Sequence, residues 1–384
     1  MINQAPISYI DSRNECNVYD DNGFLPLITA PMYSVIDEKN YETFLNHNIQ
    51  ICIPRGIKTN VKSKYGLWIS YSLNDFIDTF NNPEKELDQI EYALIDTANG
   101  NMFRLHNAIR IAKSIHKHKL IIMAGNISSV ESFIELAKTG VDYVRVGIGG
   151  SSSCNTTSNT GVGQLDLEDL IYKCKEKILK SENDKSFFGD LIKIQADSNE
   201  YLEHYIEQLI ISTVIANVKI VADGISSYVK GCQTKYGFND NGYAAINKLL
   251  YAGADLVMIG KLFAQCMESA GEKGVHDHLS DNYIPLSNLL YQASENTNIY
   301  IKYLGMSTVE EQKNYNNEYL KPSEGSINWI PVRFKLVDWI SGNDTQDSYP
   351  YLMGFTNALK SAMSYTNSKK LIDFKSNKND QYNF

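Results

Sequence analysis

The chain has 384 residues, 43% hydrophobic and 21% charged, the balance of an ordinary globular protein. Its formal net charge of −9 and pI near 5.4 exclude the basic footprint of a general nucleic-acid binder. No apolar run is long enough to span a bilayer, and the opening residues lack the basic stretch and apolar core of a secretory leader, so a cytoplasmic protein without a membrane partner is expected.

Short apolar runs flanked by Gly, Asn, Asp or Pro alternate with helical periodicity. In chain order the pattern predicts strand Leu25–Thr29, helix Glu38–Asn46, strands Ile49–Ile53, Leu67–Tyr71 and Tyr92–Asp96, and helix Arg104–His116. Strand Leu120–Ala124, helix Val130–Lys138, strand Tyr143–Gly147 and helix Leu167–Leu179 follow. Strand Lys219–Asp223, helix Tyr243–Tyr251 and strand Leu256–Gly260 complete the series. This alternation predicts an α/β fold, a (β/α)8 TIM barrel, with an open doubly wound sheet as the runner-up. One domain over 1–384 is expected, with an insertion at about 166–215 on the barrel rim and an active-site flap at about 303–330. The insertion holds a polar run, Lys180–Lys185, and an amphipathic segment, Tyr201–Ile211; it covers the site, meets another subunit or is solvated structure. The locally basic tail, Lys369–Lys378, reads as a solvated end.

Barrel active sites are built at strand C-termini, and polar residues gather there. The fourth strand ends in Asp96-Thr-Ala-Asn99-Gly100, the fifth in Ala124-Gly125-Asn126, the seventh in Asp223-Gly224 and the eighth in Gly260-Lys261. Each is as good a turn as a ligand; together at one end they point to a site. Phosphates commonly bind the loops after strands seven and eight, where Gly224 and Gly260 would open the backbone to a phosphate and Asp223 would accept from ribose hydroxyls. Capping the next turn is the plain alternative for Asp223.

The sixth strand runs into VGIGGSSSCNTTSNTGVG, Val146–Gly163, which sets Cys154 at the end of a Gly/Ser turn. Crowded N–H groups in such a turn cradle anions and favour a thiolate, hence a nucleophile; the alternative is a surface loop with an incidental thiol. The other cysteines, Cys16, Cys52, Cys174, Cys232 and Cys266, form no CxxC pair, which suggests reduced thiols. No HExxH or His/Cys cluster marks zinc, and no GxGxxG follows a strand, so neither a zinc site nor a Rossmann cofactor domain is expected.

Several segments, in one order, resemble the IMP dehydrogenase/GMP reductase barrels. They are Ala30-Pro-Met-Tyr-Ser-Val35, Leu94-Ile-Asp-Thr-Ala-Asn-Gly100, Ala124-Gly-Asn126, the Cys154 loop, Val221-Ala-Asp-Gly224, Met258-Ile-Gly260, Glu268-Ser-Ala-Gly-Glu272, Tyr303-Leu-Gly-Met306 and Ser323-Glu-Gly325. Three features resemble the reductase branch: no room for an inserted CBS pair, the wording Thr160-Gly-Val-Gly163, and a short Met306–Glu324 segment ending in Glu318-Tyr-Leu-Lys-Pro-Ser-Glu-Gly325.

The resemblance implies NADPH-dependent reductive deamination of GMP, or a related purine nucleotide, to IMP and ammonia through a thioimidate on Cys154. Thr156 and Glu324 would relay the proton. Ser152, Asp223, Gly224, Gly260 and Lys261 would bind the phosphate and ribose; Met306, Ser307, Lys321, Ser323 and Gly325 would hold the purine. Asp96, Asn126, Gly147 and Gly149 would face the cofactor, with NADH or NAD as alternatives to NADPH and a K+ site near Gly147, Gly149 and Cys154 as a further option. A homotetramer is implied. The alternatives are an IMP dehydrogenase oxidising IMP to XMP with NAD, and a non-catalytic purine-nucleotide-binding protein.

The chain departs from the family pattern at Asn155 and Thr157, which replace a threonine and an arginine, and at Gly149-Gly-Ser-Ser152, where Gly-Pro-Gly-Ser is usual. Ile225 stands in place of a second glycine, and its β-branched side chain is expected to restrict backbone approach to a ligand. Lys321 replaces an arginine that reads the purine, exchanging a planar fork for a point charge.

Overall fold

A computed structural model of the chain describes residues 2–57, 61–149, 156–194, 202–225, 241–277, 282–288, 298–304, 327–342 and 353–380. Eight short strands pair in parallel: β1 (Leu27–Thr29), β2 (Ile51–Ile53), β3 (Leu67–Tyr71), β4 (Glu91–Asp96), β5 (Leu120–Ile127), β6 (Tyr143–Val146), β7 (Lys219–Ala222) and β8 (Leu256–Ile259). Their order is β1-β8-β7-β6-β5-β4-β3-β2, and a parallel bridge between Ile28 and Gln50 joins β1 to β2. This closes the ring and selects the (β/α)8 barrel over the open sheet.

Side chains of both strand faces are buried, which is why the strands read as continuous apolar runs. Inside, the N-terminal end of the barrel is plugged by aromatics. Trp68 packs edge-on against Tyr92 at 5.2 Å and Tyr143 at 5.0 Å between ring centroids. The Trp68 indole N–H donates to Gln50 Oε1 at 3.2 Å, so this large plug keeps its polar atom satisfied. Lys219 Nζ lies 5.1 Å from the Tyr143 ring centroid. The floor is therefore closed, and ligand access is left to the opposite, C-terminal mouth.

The helices lie outside and bury one face each. In α3 (Phe103–His116) the buried set includes Leu105, Ala108, Ile109 and Ala112, the spacing of one helical stripe. The helix α1 (Tyr41–Asn46) starts three residues later than its periodicity predicts, whereas α4 (Val130–Ala137) and the helix over Tyr243–Tyr251 lie where expected.

Three features depart from the sequence expectations. The polar run Lys180–Lys185 lies inside one 28-residue helix, α6 (Leu167–Ile194), because its Lys and Glu residues suit a helix and no proline interrupts it. The amphipathic segment forms α7 (Leu202–Ala216), with Phe188 of α6 6.3 Å from Tyr205 of α7 between ring centroids. Among the residues of α6 whose burial is described, Ser181 is the last buried one, and α7 delivers the chain to Lys219 at the barrel floor. Because α6 leaves the mouth and runs back along the barrel, its later turns lie towards the floor, away from the strand C-termini.

The second feature is a four-stranded antiparallel sheet: β9 (Lys273–Asp277), β10 (Asn282–Pro285), β11 (Ile299–Leu304) and β12 (Ile327–Pro331), in the order β10-β9-β11-β12. Ile301, Tyr303 and Ile330 on one of its faces are buried, while the other carries Tyr283 stacked on Trp329 at 4.9 Å. The ends of the expected flap are thus strands β11 and β12, paired from Tyr300–Pro331 to Leu304–Ile327.

Third, the basic tail is no solvated end. It lies in a helix over Leu371–Asp380 that buries Leu371 and Phe374, and Lys375 Nζ donates to the Asp255 carbonyl at 2.7 Å. Burial lowers the pKa of Lys375 against the opposing pull of Asp255. Among the described residues no helix is long and apolar enough to cross a membrane, and Cys16, Cys52, Cys174 and Cys266 are buried free thiols.

Candidate active site

Strands β4, β5, β6 and β7 deliver Asp96, Asn126, Gly147 and Asp223 to the mouth, and one side chain joins them. Arg145, on β6 between Tyr143 and Gly147, points into the barrel and is 6% exposed. Its Nη1 donates to Asp96 Oδ1 at 3.0 Å and its Nη2 to Asp223 Oδ2 at 2.9 Å. Burial alone would push the guanidinium towards neutrality, but the Asp223 and Asp96 carboxylates together outweigh it and raise its pKa. A buried arginine between two half-buried carboxylates is held by geometry as well as charge, since its planar fork can serve both at once.

The network extends in both directions. Asn126 Nδ2 donates to Asp223 Oδ2 at 2.8 Å and to the Gly147 carbonyl at 2.7 Å, tying the β7 carboxylate to the start of the Cys154 loop. At the other end Arg55, just beyond β2, places Nε 3.1 Å from Asp96 Oδ2, and its carbonyl accepts from the Tyr33 hydroxyl at 2.5 Å. Beneath lies Cys52, whose thiol is pushed far up by burial and is no nucleophile.

Glycine is required where these strand ends touch. Gly147 has φ +127, and a Cβ there would run into the Asp223 carbonyl oxygen. Gly125 lies against Arg145; a Cβ would stand 2.7 Å from that of Arg145. The glycine after β6 and the Gly of Ala124-Gly125-Asn126 are therefore packing requirements of the arginine network.

The two described ends of the Cys154 loop lie against each other. Thr157 Oγ1 donates to the Val162 carbonyl at 2.7 Å and occupies the space a Cβ of Gly149 would take. The Ile148 N–H donates to Gln164 Oε1 at 2.7 Å. Thr157, a departure from the family pattern, thus lies against Gly149 and Val162, and Thr156 opens the short helix α5 (Thr156–Thr160). Ser152, Cys154 and Asn155 lie outside the described residues, as do Met306, Ser307, Lys321, Ser323, Glu324 and Gly325.

At the β8 end, a Cβ on Gly260 would be 3.1 Å from Met32 Sδ and 3.5 Å from the Tyr303 hydroxyl. Tyr303 is 1% exposed and its hydroxyl lies 3.8 Å from Met32 Sδ. Lys261 opens the short helix that follows, and Gly224 follows Asp223 with φ +94. Ile225, the residue in place of a second glycine, is 4% exposed and belongs to the hydrophobic core.

The structure therefore brings together Asp96, Asn126, Gly147 and Asp223, with Gly149 at the first turn of the loop. Sequence reasoning missed Arg145, Arg55 and Tyr303. A lone arginine inside Tyr143-Val-Arg-Val146, a strand otherwise apolar on both faces, was the available signal, because such a charge must find a buried partner.

A closed parallel barrel with an ion-paired network at its C-terminal mouth and a plugged floor defines the (β/α)8 barrel class. The family model for the IMP dehydrogenase/GMP reductase domain matches residues 83–198, which hold β4, β5, β6 and the Cys154 loop. The chain is 30% identical over 203 residues to a GMP reductase of Staphylococcus epidermidis, covering 48% of this chain and 62% of that relative's length. A GMP reductase of Albidiferax ferrireducens is 23% identical over 385 residues, covering 95% of this chain and 89% of its own. An inosine-5'-monophosphate dehydrogenase of Chlorobaculum tepidum is 26% identical over 288 residues, covering 75% and 44%. Over these stretches the chain is similar to the IMP dehydrogenase/GMP reductase family, and it spans less than two thirds of the length of the 30%-identical relative.

Proposed function

We propose that the protein is a GMP-reductase-like oxidoreductase that converts GMP, NADPH and a proton to IMP, NADP+ and ammonia. The observation that carries this reading is the meeting of Asp96, Asn126 and Asp223 around Arg145 at the mouth, where β6 opens into the Cys154 loop. Gly224 and Gly260 at the ends of β7 and β8, with Ser152 and Lys261, would take the phosphate. Asp223 keeps its second oxygen for ribose hydroxyls, since Arg145 and Asn126 share the first. Met306, Ser307, Lys321, Ser323 and Gly325 would hold the purine edge.

The Cys154 thiol would add to purine C2, an electrophilic amidine carbon. Thr156 and Glu324 would pass a proton to the 2-amino group, which leaves as ammonia when the C2–N bond breaks, giving a thioimidate. Protonation matters because an amide ion cannot leave. The C–S bond then breaks as C2 gains hydride, and the thiolate recovers a proton.

The mouth fits a nicotinamide: the Asp96 carboxylate and the Asn126 amide oxygen are acceptors for a carboxamide, because both Asn126 N–H groups are already engaged. The nicotinamide cofactor supplies the hydride when bound, and Asp96, Asn126, Gly147 and Gly149 would place it. A K+ ion would sit among the carbonyls near Gly147, Gly149 and Cys154, the first of which already accepts from Asn126. On the same reading the protein works in the cytoplasm as a homotetramer, which light scattering checks.

The test is a steady-state assay at the nicotinamide absorbance. NADPH oxidation and ammonia release with GMP are expected, and Cys154→Ala should abolish both while leaving GMP binding measurable. NAD reduction with IMP alone would instead make the protein a dehydrogenase. GMP binding without turnover or a covalent adduct would make it a non-catalytic binder.

A further inference from the structure

We propose that Arg145 is a positioning residue that couples the nucleotide site to the cofactor site, so that each ligand tightens the binding of the other. This rests on the reading above, in which Asp223 meets the nucleotide ribose and Asp96 the cofactor. The two carboxylates sit on opposite sides of one guanidinium, at 3.0 Å from Nη1 and 2.9 Å from Nη2. A guanidinium is rigid and planar, so a rotation that follows one carboxylate displaces the nitrogen serving the other.

At its root Arg145 packs against Gly125, where an added Cβ would stand 2.7 Å from the Cβ of Arg145. The side chain is buried, and its Nε has no hydrogen-bond partner among the described residues. Among the described residues, the two terminal nitrogens hydrogen-bond to the two carboxylates, one each.

The contacts run without a break from Arg55 at the rim through Asp96, Arg145, Asp223 and Asn126 to the Gly147 carbonyl at the root of the Cys154 loop. The four charged members alternate in sign, Arg55, Asp96, Arg145 and Asp223, so the chain is neutral and tightly paired. A ribose that fixes the Asp223 carboxylate also fixes the fork, and with it Asp96. The ordering cost is met by whichever ligand binds first, and the second then binds more tightly with no change of shape.

The experiment uses GMP with NADP+, a pair that cannot react, and measures the NADP+ dissociation constant by titration calorimetry with and without saturating GMP. In the unaltered protein NADP+ should bind at least about fivefold tighter with GMP present. Arg145→Lys keeps a charge but can satisfy only one carboxylate, and Asp96→Asn keeps shape but removes the ion pair. In each the coupling factor should shrink by about threefold or more. Direct stacking between the two ligands would persist in both variants, so only the part that is lost reports on Arg145. If Arg145→Lys does not fold, Asp96→Asn decides. A factor near one in the unaltered protein overturns the proposal, as does a factor unchanged in the variants. Failure of the unaltered protein to bind GMP at all is a different result, and it overturns the functional reading itself.

Discussion

Replacing Gly147 by alanine tests whether the β6 and β7 strand ends are as tightly apposed as described. Two costs add. A φ of +127 is a backbone conformation that residues with a Cβ rarely hold, worth about 1–3 kcal/mol. The new methyl would overlap the Asp223 carbonyl oxygen and come within 3.2 Å of Leu167 Cδ1, overpacking worth about 1–3 kcal/mol more. The expected loss is therefore about 2–6 kcal/mol, a large part of the net stability of a typical domain. Gly161→Ala is the control, because Gly161 has φ +74 and no atom within 4 Å of its would-be Cβ, so only the backbone cost applies. Equilibrium urea unfolding followed by tryptophan fluorescence compares the two. Gly147→Ala should be the less stable by more than about 1 kcal/mol, and its GMP affinity should fall as Asp223 is pushed from Arg145. Equal stabilities would refute the close approach of Gly147 to Asp223.

Two further substitutions separate the floor from the mouth. Trp68→Ala should cost about 3–5 kcal/mol in urea unfolding by opening a cavity among Tyr92, Tyr143 and Gln50, while the KM for nucleotide stays unchanged. Tyr303→Phe should do the reverse, leaving stability nearly intact but raising the nucleotide KM about tenfold or more, if the hydroxyl beside Gly260 reaches the phosphate.

The barrel was legible because parallel strands buried on both faces read as short apolar runs, and all eight lie within a few residues of their predicted places. The second sheet was not, because β9 to β12 mix polar and apolar residues and several of those residues are only half-buried. Length misled at α6, where polar residues marked a solvent-facing stretch of helix rather than its end. At the site, Asp96, Asn126 and Asp223 could be found individually as polar residues ending apolar strands. Their common partner could not, since Arg145 sits inside a strand and pairs with residues 49 and 78 positions away. Sequence spacing carries no trace of a contact made across a barrel.

Ile225 shows how a departure from a family pattern can change meaning once its side chain is placed. Where a family keeps glycine beside a phosphate loop, a β-branched residue suggests a blocked approach. Here the side chain is 4% exposed and belongs to the hydrophobic core, which favours a packing role. Burial predicts that Ile225→Ala removes packing rather than an obstacle. The variant should lose about 2–5 kcal/mol of stability, while GMP affinity stays within about threefold of the original, under 1 kcal/mol. Urea unfolding and calorimetric GMP titration on the same preparation give both numbers. If GMP binds markedly tighter and stability hardly moves, Ile225 faces the ligand and its burial is wrong. A stability loss at constant affinity makes the second glycine dispensable here, because Gly224, with φ +94, already supplies the open backbone conformation at this turn.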